Sequence, residues 1–141
     1  MHIEKEYIDN HIEELIQIWL QSNIDAHYFI PEEYWNKNVP FVKQALPNAM
    51  LFCEGNEPIK GFLGISDGFI EGLFVAKKFR RKGVGKKLIQ EVKKQFDVLS
   101  LYVYAKNKNA VAFYKNMGFV VEKEEIQQET GEIEYFMTWK K

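Results

Sequence analysis

The sequence predicts an α/β (α+β) fold, one mixed sheet with helices packed on its faces. Three observations predict it. Short β-branched and aromatic runs are bounded by Gly, Pro, Asn and Asp. Apolar residues recur at helical spacing in the segments between those runs. The length of 141 residues suits one domain over 1–141 and leaves no room for a second sizeable core. A hydrophobic share of 46% against 28% charged residues is that of an ordinary globular chain and argues against disorder.

Taken in order, Ile3 to Ile8 reads as a short first strand. Asn10 followed by Glu13 resembles a capping box, after which Ile12, Leu15, Ile16, Trp19 and Leu20 form the apolar stripe of a helix. Pro31-Glu32-Glu33 opens a second helix, because proline is tolerated in the first turn and acids favour the positive helix end. Pro40 is expected to break or kink that helix. Met50 to Glu54 and Ile59 to Ser66 are strands joined by Gly55-Asn56-Glu57-Pro58, and the tight turn Asp67-Gly68 leads into a strand through Val75. Gly83 to Phe96 is a helix with Val84, Leu88, Ile89 and Val92 on one face, and Ser100 to Ala105 is a strand. Asn109 caps a short helix through Phe113 and Tyr114 that Gly118 ends. Phe119 to Ile126 and Glu132 to Trp139 close as a hairpin around Thr130-Gly131. The order β-α-α-β-β-β-α-β-α-β-β has about seven strands and about four helices.

The net charge is -1, but the charges are segregated. Nine of the nineteen basic residues fall between Lys77 and Lys94, and acids gather at Glu122, Glu124, Glu125, Glu129, Glu132 and Glu134. A positive field around one loop attracts a compact polyanion. A nucleic-acid partner is disfavoured, because these basic residues crowd around glycines without interleaved stacking aromatics. Cys53 is the only cysteine, so no internal disulfide forms, and in its apolar run it reads as a small buried residue. His2, His11 and His27 are scattered, which predicts no metal site. With no apolar stretch at the start and no run long enough to span a bilayer, a cytoplasmic protein without a membrane partner is expected.

The chemistry concentrates in Leu73-Phe74-Val75 and the following Arg80-Arg81-Lys82-Gly83-Val84-Gly85-Lys86, a strand, a basic loop and a helix start. Glycines let the backbone approach a ligand, the first helix amides are unpaired donors, and the cationic side chains add charge-assisted bonds. That combination binds pyrophosphate. A P-loop ending in Gly85-Lys86 needs Gly at position 80 and Ser or Thr at 87, where Arg80 and Lys87 stand. A dinucleotide fingerprint needs a small residue at 88, where Leu88 stands.

The remaining pattern, R-x-x-G-x-G after a strand, resembles the coenzyme A signature of the GCN5-related N-acetyltransferase (GNAT) family. Asn107 to Phe119 resembles a second element of that family, N-x-x-A-x-x-h-Y-x-x-x-G-F with h apolar, at every fixed position. The resemblance covers about residues 50 to 139, and Ile18 to Ser22 with His27 to Pro31 resemble, more narrowly, small bacterial acetyltransferases of the YjaB type. It implies a mostly antiparallel sheet, acetyl-coenzyme A as cosubstrate, no metal, and acetyl transfer to a primary amine by direct attack in a ternary complex. The acceptor it implies is a small-molecule amine or a peptide or protein amine, and the enzyme a monomer or homodimer.

By motif position, Arg80 to Lys86 would hold the pyrophosphate, with Lys86 replacing by charge the hydroxyl often found there. Leu73, Phe74, Val75 and Asn107 would hold the pantetheine arm, though Asn107 also reads as a plain turn residue. Tyr114 would protonate the departing thiolate; its alternative is a core tyrosine. Glu71 is the candidate base through a water, because a mostly buried strand would raise its pKa, and a solvated edge residue is its alternative. His27, Tyr28 and Trp35 would lie on the acceptor side, His27 binding or deprotonating the amine. A coenzyme A sensor of the same fold without turnover is the competing function.

Overall fold

The computed structural model describes all 141 residues. Strand β1 (His2–Ile3) is followed by helices α1 (Lys5–Asn10), α2 (Ile12–Ala26) and α3 (Glu32–Ala45). Strands β2 (Met50–Glu54), β3 (Gly61–Ser66) and β4 (Phe69–Val75) lead into α4 (Val84–Gln95). The chain ends with β5 (Val98–Tyr104), α5 (Lys108–Asn116), β6 (Val120–Ile126) and β7 (Ile133–Lys140). The seven strands form one sheet in the order β1-β2-β3-β4-β5-β7-β6, antiparallel throughout except where β4 meets β5.

Two apolar clusters sit on the two faces of this sheet. On one face α4 and α5 bring Leu88, Ile89, Val92 and Val111 onto Leu63, Ile70, Leu101, Val103 and Met137. On the other, α1 and α2 bring Ile8, Leu15 and Ile16 onto Leu51, Cys53 and Phe62. Burying a side chain of this size contributes about 1.5–3 kcal/mol, so the packed face of α4 outweighs the roughly 1 kcal/mol that Gly85 costs it relative to alanine. Cys53 is buried, and burial pushes its thiol up to about 11, which suits a packing role.

Four sequence expectations are corrected. The segment Ile3 to Ile8 is not one strand: pairing stops at Ile3, and Lys5–Asn10 coils into α1, which buries Ile8 at 1% exposure. The helices therefore number five, close to the about four expected. The capping box at Asn10 does not form, because Asn10 is the last residue of α1 and His11 begins α2 without a side-chain cap. Of the break or kink expected at Pro40, the break does not occur, and the helix runs on to Ala45. Proline removes one amide there, on an exposed side facing the carbonyl of exposed Asn36, while packed Trp35, Val39 and Val42 hold the helix on both sides of it. The cap of α5 is Asn107 rather than Asn109: its side chain accepts a hydrogen bond from the Ala110 amide at 3.2 Å.

Candidate active site

Strand β4 is paired with β3 along its whole length, but with β5 only at Phe69–Ser100 and Ile70–Leu101. Beyond those two pairs the strands part. The register of β3 and β4 slips at the same place, with Ile65 opposite Ile70 and Gly64 opposite Gly72, so Glu71 is the extra residue of a bulge. A bulge bends the strand that carries it, which is how a sheet opens next to a site. The backbone from Glu71 to Val75 is thereby left without a strand partner on the side facing β5, although the Val75 carbonyl is taken by side chains.

A cleft of about 1170 Å³ occupies this opening. It runs from the start of α4, past Leu73, Ala110, Phe113 and Tyr114, to Trp19, His27, Tyr28, Trp35, Tyr104 and Glu134. Every site residue expected from the sequence lines it except Lys82. Lys82 is exposed in the same basic loop.

At the basic end, Gly83 takes the left-handed conformation (φ 82°) as the residue before α4, and no side chain caps the helix. The amides of its first turn are left for an anion. Arg81 also adopts a positive φ of 62°, which for a residue with a Cβ costs about 1–2 kcal/mol. Strain of this kind collects at binding loops. Gly85 serves a different need: a Cβ there would lie 3.3 Å from the Phe113 ring and 3.5 Å from Leu73.

Arg80 is committed largely to the protein. Its Nε donates to the Val75 carbonyl at 3.3 Å and its Nη1 to Asp25 at 2.9 Å, while Ser22 also donates to that carbonyl. Burial works to raise the pKa of Asp25, but hydrogen bonds from Arg80 and Gln21 outweigh it and hold the carboxyl low. Arg80 thus bolts the basic loop to the end of β4 and to α2. Only its Nη2, buried and without a partner, is left for a ligand.

Across the opening, Tyr114 is 8% exposed and burial alone pushes its phenol up, no hydrogen bond contributing. Asn107 divides its amide in two. The oxygen caps α5, which turns the nitrogen toward His27 Nε2 at 3.3 Å. His27 is enclosed by Trp35 at 5.1 Å, Tyr104 at 5.0 Å and Phe29 at 5.6 Å between ring centroids. Burial pushes its pKa down, opposed in part by the Asn23 carbonyl, and its Nδ1 is buried without a partner. His27 lines the cleft with its Nε2 taken up by Asn107 and only its Nδ1 without a partner. Trp35 is buried at 7%, whereas Tyr28 is 83% exposed at the lip. Glu71 is also exposed, so the burial expected to tune it as a base is absent. No group of three or more His, Cys, Asp or Glu comes together that could hold a metal ion, and no helix is long and apolar enough to cross a membrane.

Sequence reasoning missed Ser22, Trp19, Tyr104 and Glu134, all of which line the cleft. The alternation of β7 was the available signal for Glu134. Tyr135, Met137 and Trp139 pack toward α4 and α5, which sends Glu134 to the opposite face.

Comparison with known proteins agrees with this architecture. Residues 24–140 match the acetyltransferase (GNAT) domain family. The chain is 37% identical over 128 residues to the peptidyl-lysine N-acetyltransferase YiaC of Escherichia coli, covering 89% of this chain and 88% of that protein. It is 35% identical over 112 residues to the peptidyl-lysine N-acetyltransferase YjaB of the same organism, covering 77% and 76%. The solution structure of apo YjaB from Escherichia coli superposes with a TM-score of 0.84 at 27% identity, covering 98% of this chain and 94% of that one. A cradle of free helix amides, an opened sheet and a match over most of the chain all lead to one assignment: the chain belongs to the GNAT acetyltransferases, enzymes whose acetyl donor is acetyl-coenzyme A.

Proposed function

We propose that this chain acetylates lysine side chains of a peptide or protein by direct attack of the amine on the acetyl thioester, with both substrates bound in the cleft. The observation that carries this reading is the parting of β4 from β5 after Ile70 and Leu101, with Tyr114 on the α5 side and an aromatic chamber on the other. The lysine acceptor is supported by the two relatives, both named peptidyl-lysine N-acetyltransferases.

The residues fit the donor part by part. The free amides from Gly83 onward, the Arg80 Nη2 and the lysines of the basic loop suit a pyrophosphate. The absence of a side chain at Gly85, between Phe113 and Leu73, leaves width for a slender arm. The unpaired edge of β4 supplies backbone groups to orient that arm and to face a polarised carbonyl. When bound, the donor supplies an acetyl group activated as a thioester, whose sulfur departs as a thiolate and takes up a proton.

The protein's part is to position and to move protons. Tyr114, kept protonated by burial, is the acid facing the departing sulfur. Glu71, exposed on the bulge, passes the amine proton toward solvent through a water instead of storing it. Neutral His27 holds Asn107, and so the start of α5, in place.

The test is thiol release from acetyl-coenzyme A in the presence of lysine peptides. Tyr114→Phe is expected to lower turnover about a hundredfold while leaving the donor dissociation constant within about a factor of two. Equal loss of turnover and donor binding refutes the role given to Tyr114. Donor binding without release on any amine points to a sensor instead.

A further inference from the structure

One half-buried carboxylate in the cleft has neither a partner nor a part in the chemistry above. Three acids line the cleft: Asp25, Glu71 and Glu134. Asp25 is held by Arg80 at 2.9 Å. Glu71 is exposed. Glu134 is partly buried on β7, opposite Tyr104 of β5 on one side and Glu125 of β6 on the other. Its pKa is raised, first by burial and then by Glu125 and Glu129, and no cation offsets them.

The side of the sheet on which Glu134 lies is decided by its neighbours. Met137 and Val103 belong to the core under α4 and α5, with Tyr135 packed against it, so strand alternation places Glu134 and Tyr104 on the other face. Tyr104 there joins Trp35 and His27 in the chamber at the end of the cleft remote from the basic loop. The free carboxylate thus stands on the far side of the β4–β5 opening from the cradle, where an acceptor enters.

A lysine that enters such a chamber arrives as an ammonium, and an ammonium leaving water without a counter-charge is strongly disfavoured. A carboxylate held half-buried among like charges is disfavoured for the same reason. Pairing relieves both. We infer that Glu134 receives the acceptor's ammonium group and makes the cleft selective for a cationic side chain; this rests on reading the chain as a lysine acetyltransferase.

The test uses the intact chain with its donor site filled by coenzyme A, which cannot transfer an acetyl group. Binding is titrated for a peptide with one lysine and for the same peptide with norleucine, which has a similar length but no charge. The wild type is expected to prefer lysine about ten- to a hundredfold. In Glu134→Gln the preference falls to about twofold or less, with coenzyme A affinity unchanged and the melting temperature equal or higher, because a like charge has gone. Glu71→Gln keeps the preference. A Glu134→Gln protein that still prefers lysine as the wild type does, or a preference abolished by Glu71→Gln instead, overturns the inference and leaves the lysine reading intact. A wild type that releases no thiol with any lysine peptide sinks both.

Discussion

His27 shows how much of one residue's role is written by a partner far away in sequence. Asn107 stands 80 positions later, and capping α5 turns its amide nitrogen toward His27. A donor pointed at Nε2 requires that nitrogen to be an acceptor, so the ring is neutral with its proton on Nδ1. A second proton would set two donors against each other. Burial lowers the pKa from 6.5 in the same direction. Below 6.5 the unfolded chain then binds the proton more readily than the folded one, so this contribution to stability is complete above 6.5 and is lost as the pH falls through the folded value. Acidification from about pH 7 to 5 is expected to lower the melting temperature of the wild type more than that of His27→Gln, whose neutral amide can still accept from Asn107. Parallel decreases in the two proteins would show that His27 does not titrate in this way. None of this was legible in the sequence, because a histidine's neighbours come from folding. The place of Tyr114 on the cleft wall was legible, because its motif is contiguous.

At the scale of the element, the two glycines that open α4 make separable demands. Gly83 needs its dihedral angle: its surroundings are open, yet φ is 82°. Gly85 keeps a gap open: a Cβ would come within 3.3 Å of the Phe113 ring and into ordinary contact with Leu73, narrowing the space between them without displacing the backbone. Gly83→Ala is therefore expected to cost about 1–2 kcal/mol in the folded state, read as a lower melting temperature. Gly85→Ala is expected to leave melting unchanged or slightly higher, alanine being the better helix former, and to weaken acetyl-coenzyme A in a titration. Undiminished donor affinity in Gly85→Ala would mean that the arm does not pass over that residue. Both glycines could be read from the sequence because a backbone demand leaves a local trace. Helix α1 left none: Lys5–Asn10 is short and polar, and it coils because Ile8 and half-buried Tyr7 find the core beneath them. The persistence of α3 through Pro40 was hidden for the same reason, being settled by packing on both sides of the proline.

Over the whole molecule, charge is unevenly spread along the cleft: the unpaired cations of the basic loop cluster at the α4 end, while Glu71 and Glu134 are its unpaired acids and Lys106, beside the chamber, is paired with Glu132. The exposed Lys77, Lys78, Lys82 and Lys86 act through solvent, where the screening length shrinks from about 10 Å at 0.1 M salt to about 3 Å at 1 M. Acetyl-coenzyme A affinity is expected to weaken severalfold over that range and then level off, because the Arg80 Nη2 is buried and the helix amides carry no net charge to screen. An affinity that keeps falling without a plateau would assign the hold to the exposed lysines alone. The order of elements from α2 onward, and the clustering of cations around the start of α4, were legible in the sequence at this scale. The acceptor end was legible only in part: His27, Tyr28 and Trp35 were expected there, but Trp19, Tyr104 and Glu134 join them only through the packing of α2, α3, β5 and β7.

The parting of β4 and β5 also bears on how the molecule moves. Two residue pairs are all that stitch the β1–β4 half of the sheet to the β5–β7–β6 half within the ladder. The seam is paired no more fully than the two-residue edge strand β1 is to β2, although it joins two strands of seven residues, and it is the line along which the donor would lie. A molecule bonded to both lips fills in for the rungs the ladder lacks. A substrate so held would be, for as long as it stays, a structural member of the sheet, tying the two halves together where the ladder leaves them unpaired.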